Sequence, residues 1–483
     1  MSEKSIKKNA FWAFLRAFMT SFFPLITFPY ASRVILPEGI GRVNFSNSIV
    51  NYFIMLAGLG IGTYGIRECA KRRNNKIELS KFVKEILTIN LCSTLVSYVL
   101  FFLVIFLVPK TYPYRSLLLV SCTNILFITV GLEWLYKGIE EFKYITVRNF
   151  IFQCIGLVYL FVFVRTPEDC EHYVIFGLIT SVGSNICNIF HSRKFISYSL
   201  KCKLEIKKHI KPIFTFFGMS VVSSIYEMLD TTLLGFLSDN LNIGYYSAAN
   251  KLNMTFLRLI TASTAVILPR LTYYNQNRNE DEYKTLTTKI FYIVLFFTVP
   301  VSFGLYALSS PLVMLFSGES FIPAVSVMHI LAPLIVVMSI SDITGVQILP
   351  SIGKEKVSLI SYIVGAVCNI ILNIILIPRK GALGAAIGSL IAESTVMLIQ
   401  VIYLKKYFAS KSLFINFFEI LFASVIMFIC IKFELHFISN IILQILLAFI
   451  SGILVYYLIL LCLRNDLLME IQKSLYRKIR NNK

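Results

Sequence analysis

Charge is scarce in this sequence. Asp, Glu, Lys and Arg make up 15% of its 483 residues, against 57% hydrophobic and 14% aromatic, and the mean hydropathy is +0.73. A water-soluble fold of this length cannot bury so much apolar surface, so the soluble globular classes are excluded. Alternating strands are missing too; the apolar stretches are long and continuous, which excludes a β-barrel. No GxxxxGK[ST] loop occurs, and GLGIG at Gly58 to Gly62 reads as a helix end rather than a dinucleotide fingerprint. The ten cysteines contain no CxxC: Cys69, Cys92, Cys122, Cys154, Cys187, Cys368, Cys430 and Cys462 lie singly, mostly inside apolar runs, as small core residues do. None of His172, His191, His209, His329 and His436 has another His or a Cys at ligand spacing, so neither a metal nor an organic cofactor is expected. These absences argue against an enzyme. The basic start MSEKSIKKNAFW leads into a long apolar run without a small-residue cleavage site, which fits a retained first helix.

What is present is an all-α, polytopic membrane protein. Apolar runs of about 20 residues, separated by charged or Pro/Gly breaks, give about fourteen spans. The first six are Asn9 to Ser32, Val43 to Thr63, Phe82 to Val108, Arg115 to Tyr136, Tyr144 to Val164 and His172 to Phe190. The next six are Lys211 to Phe236, Gly244 to Leu268, Leu286 to Leu308, Pro323 to Leu349, Lys356 to Ile377 and Gly381 to Leu404, and two more follow at Leu413 to Ile431 and Phe437 to Leu463. The net charge of +20 sits largely in alternate loops, such as KRRNNK after Arg67 and the segment from Arg193 to Lys211. That asymmetry is the positive-inside pattern, so those loops and both termini are expected in the cytoplasm; no basic soluble domain exists to bind nucleic acid.

The stretch from Tyr226 to Arg270 echoes that from Phe28 to Arg67. Gly41, Phe45, Ser46, Asn47 and Arg67 fall over Gly244, Ala248, Ala249, Asn250 and Arg270. Two like halves of six spans each return the chain to its starting side, so they are parallel repeats, expected to face each other across a cleft. The expected division is an N-terminal lobe over residues 1–192, a cytoplasmic linker over 193–211, a C-terminal lobe over 212–405, and two further helices with a basic tail over 406–483.

Ionisable residues inside spans are costly in a bilayer and point to function. Arg16 lies in the first span; Lys251 and Arg258, seven apart, share one face of the eighth. Structural neutralisation is the competing reading: Asp230 for Lys251, and Asp342 or Glu393 on other helices for Arg16 and Arg258, with Glu227 and Glu133 as further buried acids. Asn44, Asn47 and Asn51 line one face of the second span and Asn250 and Asn253 answer them in the eighth; a wet cleft and ordinary interhelical glue both account for them. Gly384 and Gly388 form a GxxxG that favours close helix packing.

YASRVILPEGIGRVNFSNSI at Tyr30 to Ile49, LDTTLLGFLSDNLNIGYYSAANKL at Leu229 to Leu252 and VILPRL at Val266 to Leu271 resemble the Wzx-type flippases of the polysaccharide transport family, in the superfamily that also holds MurJ and the MATE exporters. The resemblance covers essentially the whole chain. It implies translocation of undecaprenyl-pyrophosphate-linked oligosaccharide across the bacterial cytoplasmic membrane for O-antigen or capsule-type surface polysaccharide, by alternating access, with glycosyltransferases and a polymerase of the same pathway as partners. It also implies pyrophosphate-binding arginines, for which Arg16, Arg33 and Arg258 stand at matching places. Asn47, Asn250 and Lys251 complete the expected substrate set; Glu227, Asp230, Asp342 and Glu393 are the candidates for charge partners or for coupling to Na⁺ or H⁺. The alternatives are a MATE-like exporter of amphipathic small molecules and a non-transporting scaffold. Spans one and two carry no buried carboxylate of the kind the exporter would favour.

Overall fold

The computed structural model of the protein describes residues 6–200, 203–264, 268–277, 279–405, 410–470 and 472. All regular elements among them are helical. Eleven helical stretches among the described residues are long and apolar enough to cross a membrane. They match the expected spans except in two places.

Spans one and two run on as one helical stretch, α1 (Ile6–Gly58), continued by α2 (Ile61–Arg72). The expected break shrinks to Leu36, at φ 63°, just before Pro37. Proline's ring keeps the preceding residue out of the helical region, and a leucine at positive φ is strained unless its neighbours hold it there. Spans seven and eight are present as α10 (Lys207–Leu237) and α11 (Asn240–Thr264). The 25 residues of α11 reach about 37 Å, enough to span, but Asn242, Asn250, Lys251, Asn253 and Arg258 make it too polar to join the apolar set.

The chain forms two compact units, residues 1–244 and 245–483. In the first, α3 (Lys76–Leu107) packs on α1, and the fourth span is broken into α4 (Arg115–Ser121), α5 (Thr123–Val130) and α6 (Glu133–Gly138). After α7 (Phe142–Phe163), the sixth span is α8 (Cys170–Leu178) and α9 (Asn185–Ser192), joined by a π-helical turn over Ile179–Gly183. The segment over 193–211, expected as a linker, lies within the first unit. That segment is tied down: the Ser197 N–H donates to Ser80 Oγ at 2.9 Å, and the Glu205 N–H to Glu85 Oε1 at 2.8 Å. Beyond it α10 packs along α1, where Gly235 leaves the room that the Phe45 ring fills.

The second unit takes in most of α11, then α12 (Leu268–Gln276), α13 (Glu280–Ala307), α14 (Ser309–Ser317), α15 (Ala324–Leu331) and α16 (Leu334–Asp342). A second π-helical turn, Ile343–Ile348, leads to α17 (Leu349–Ser351). α18 (Glu355–Lys380) and α19 (Ala382–Leu404) form a closely packed hairpin. A Cβ on Gly384 would stand 2.5 Å from the Leu376 carbonyl oxygen and one on Gly388 2.6 Å from Asn373 Oδ1, so the GxxxG serves close packing. α20 (Ser410–Phe437) and α21 (Ile441–Cys462) follow and pack on α13.

Candidate functional site

Each unit gathers ionisable side chains within its helices. In the first, Thr146 of α7 donates its hydroxyl to the Trp12 carbonyl at 3.1 Å, which fixes the start of α1 against α7. One turn further along α1 is Arg16. Opposite it the fourth span breaks at Leu132, φ 47°, and restarts as α6 with Glu133 in its first turn, where an acid suits the helix dipole. The Arg16 guanidinium donates to Glu133 Oε1 at 2.5 Å, and Lys137 Nζ reaches the same oxygen at 3.0 Å. Arg16 is therefore neutralised by Glu133, not by Asp342 or Glu393. Neither sequence spacing nor span number ties positions 16 and 133 together.

Beside them on α7 lies Arg148, 5% exposed. Its Nη2 donates to Asn149 Oδ1 at 2.8 Å and the Tyr144 side chain lies within bonding reach of the guanidinium, while Nε and Nη1 make no hydrogen bond of good geometry and no ion pair engages it among the described residues. Ser184 donates to the same Asn149 oxygen at 3.1 Å. The wall behind is aromatic: Tyr144 stacks on His191 at 3.8 Å between ring centres and on Tyr136 at 5.1 Å. Asn185 donates to the Phe127 carbonyl at 3.0 Å and Asn188 to that of Gly131, each leaving its own side-chain oxygen unpaired. The sequence reading passed over this cluster, although Arg148 stands in the apolar run YITVRNFIF.

The remaining expected residues of this unit lie apart from it. Arg33 is exposed, one of its donors spent on the Pro29 carbonyl at 2.7 Å. Asn47 accepts from Ser121 at 3.3 Å, an interhelical bond of the bland kind. Asp230 lies within electrostatic reach of Tyr52, which bonds Thr232. The side chain of Glu227 lies outside the described residues.

In the second unit Lys251 is half-buried and Arg258 exposed on α11, and each acts on the other electrostatically. Asn250 is half-buried next to them, while Asn253, fully buried, has neither amide atom paired. Asp342 closes α16 and Glu393 lies buried on α19, with Tyr362 of α18 in the field of both. Gln400 completes that polar layer, accepting from Thr344 at 2.6 Å and donating to Ser361 at 2.8 Å. Among the described residues no three His, Cys, Asp or Glu side chains are grouped as metal ligands would be.

The chain matches two family models, one described as polysaccharide biosynthesis protein over residues 6–275 and one as lipid II flippase MurJ over residues 154–462. It is 25% identical over 403 residues to a protein named as an O-antigen transporter in Shigella dysenteriae, covering 82% of this chain and 99% of that one. A like-named protein of Escherichia coli K12 is 22% identical over 409 residues, covering 83% and 97%. Among solved structures, the fold resembles lipid II flippase MurJ in an inward closed conformation, with a TM-score of 0.74, 20% identity and coverage of 94% and 99%. It also resembles an inward-facing MATE family multidrug transporter, with a TM-score of 0.63, 14% identity and coverage of 82% and 97%.

Proposed function

The chain belongs to the polysaccharide biosynthesis protein family, and from that premise we propose that it is a flippase carrying lipid-linked oligosaccharide units across the membrane for surface glycan assembly. The lipid anchor is undecaprenyl diphosphate, the membrane is the bacterial cytoplasmic membrane, and both termini face the cytoplasm. The observation that carries the reading is α11. A helix long enough to span keeps Lys251 and Arg258 on one face, and two cations at membrane depth are retained where an anionic group has to pass. Arg16 offers a third cation, on condition that Glu133 lets it go.

The reading predicts that wild-type protein in liposomes translocates an undecaprenyl-diphosphate-linked oligosaccharide, scored by access of an external glycosidase. Arg258→Ala should bind it at least tenfold more weakly, the effect of losing a charge-assisted contact of about 1.5 to 3 kcal/mol, and Arg258→Lys should recover part of that. Normal transport by Arg258→Ala would leave the cation without a substrate role. Export of amphipathic drugs in the same liposomes, with no movement of the lipid, would favour the exporter reading. We also propose coupling to Na⁺ or H⁺ at Asp342 and Glu393, supported by the two acids that flank Tyr362 beside a π-helical turn. Imposed ion gradients in that assay test it, since transport indifferent to both would remove the coupling.

A further inference from the structure

In the first unit three cations, Arg16, Lys137 and Arg148, lie around the carboxylate of Glu133. Glu133 serves Arg16 and Lys137, and Arg148, whose field overlaps theirs, holds two donor nitrogens that make no hydrogen bond of good geometry. A buried guanidinium left in that condition is unfavourable, and such orphaned donors persist where a second arrangement satisfies them. Glu133 gives these three cations one negative charge, with Glu141 acting on Tyr136 and His191 beside them, and a diphosphate diester arriving at Arg16 would bring two more. It would also compete with Glu133 for the Arg16 donors.

We infer that Glu133 is a movable counter-ion, released from Arg16 by the incoming diphosphate and received by Arg148. The inference rests on the flippase reading for the identity of the competing anion, but not for the exchange itself. Glu133 sits in the first turn of a six-residue helix that follows a break at Leu132, so the carboxylate swings on a short element rather than on a rigid span. On the receiving side Arg148 is steadied by Asn149, which is in turn held by Ser184, and it lies over the Tyr144 ring at 5.8 Å. His191 stacks behind that ring, and of the charged groups that act on Arg148, Glu133 attracts it and Arg16 repels it. Substrate binding thereby ties α6 to α7 and frees α1, which turns occupancy into a rearrangement of three helices.

The exchange can be tested without substrate. Thermal unfolding of the full-length protein in detergent should show Glu133→Gln and Arg16→Gln to be strongly non-additive, and Glu133→Gln and Arg148→Gln only weakly so. In the Arg16→Gln background the coupling of the second pair should grow, because the released carboxylate has moved to Arg148. The same weak coupling in both backgrounds overturns the exchange and leaves the flippase reading standing. Where Arg148→Gln does not fold, Arg148→Lys, which lacks the Nε donor and the fork, runs the same cycle.

Binding of undecaprenyl diphosphate then identifies the trigger. Arg148→Gln should weaken it about tenfold, and adding Glu133→Gln should restore it, since no carboxylate then needs a receiver. A merely structural Arg148 would give no such rescue. If the wild type ignores this lipid while the unfolding cycles behave as expected, the exchange holds and the anion assigned to it is wrong.

Discussion

Single residues decide how firmly the basic segment over 193–211 is held. Glu85, 1% exposed on α3, accepts the Glu205 N–H at 2.8 Å and lies 2.8 Å from His209 Nε2, while Tyr64 reaches His209 Nδ1 at 2.7 Å. Outside the bilayer, the Glu205 carboxylate takes hydrogen bonds from Lys81 at 2.7 Å and Lys208 at 3.0 Å, and these hold its pKa down to about 2 from 4.5. A carboxyl lowered on folding stabilises the folded state above its unfolded pKa, and that contribution is lost as pH falls from 4.5 towards 2. The protection of residues 203–211 against hydrogen exchange, taken relative to the intrinsic rate at each pH, should therefore fall through that window, less so in Glu205→Gln, and salt should weaken the effect because these ion pairs are exposed. Protection unchanged between pH 5 and pH 3 would detach the segment from Glu205. The unequal legibility of the charges also belongs to this scale. Lys251 and Arg258 could be read together because seven residues make two turns of one helix. Arg16 and Glu133, 117 positions apart, meet only through tertiary packing. Arg148 is visible as a letter, but an arginine near a span's inner end reads equally well as a snorkelling flank, and its burial comes from α9 and the Tyr136–Tyr144–His191 stack.

Among the elements, glycines set where helices approach. A Cβ on Gly41 would overlap the Asn240 carbonyl, and one on Gly244 the Pro37 carbonyl, so the break in α1 and the start of α11 cross backbone to backbone at two glycines. These two glycines are the ones that align in the internal echo; the echo was legible in the sequence, but the crossing that explains it was not. Gly41→Ala should destabilise by about 1 to 3 kcal/mol through overpacking and lower the unfolding temperature in detergent, whereas Gly58→Ala, with nothing within 4 Å, should not on steric grounds. Equal effects at the two sites would show that helix propensity, not the crossing, governs both. The π-helical turns at Ile179–Gly183 and Ile343–Ile348, and the breaks inside the fourth span, were not legible. A one-residue insertion into the hydrogen-bond ladder leaves hydrophobicity unchanged, and only the packing of Asn185 against Gly131 or Gln400 against Gly345 shows what it is for.

For the whole molecule, hydropathy and the placement of Lys and Arg were enough to establish a polytopic helical protein, since the bilayer leaves a chain few other solutions. They did not determine what the last two helices do. From the sequence α20 and α21 either pack peripherally or help form a groove for the lipid tail. In the structure they close a core: Ala423, Met427 and Ile431 of α20 meet Ala448, Tyr456 and Leu460 of α21 over Ala307 and Leu308 at the end of α13. Tyr456 donates to the Phe296 carbonyl at 2.9 Å, and Asn465, fully buried, donates to Glu419 Oε2 at 2.6 Å and Tyr292 Oη at 3.3 Å. Removing residues 405–483 would expose that face of α13 and strand its polar partners, a larger loss than shedding helices that only touch lipid. The truncated protein should insert at a reduced level and unfold at a lower temperature, and supplying residues 405–483 as a separate chain should recover part of both. An unchanged unfolding temperature with transport abolished would assign the pair to the lipid tail instead. Unchanged stability and transport together would mean that the core they close contributes nothing the other helices need.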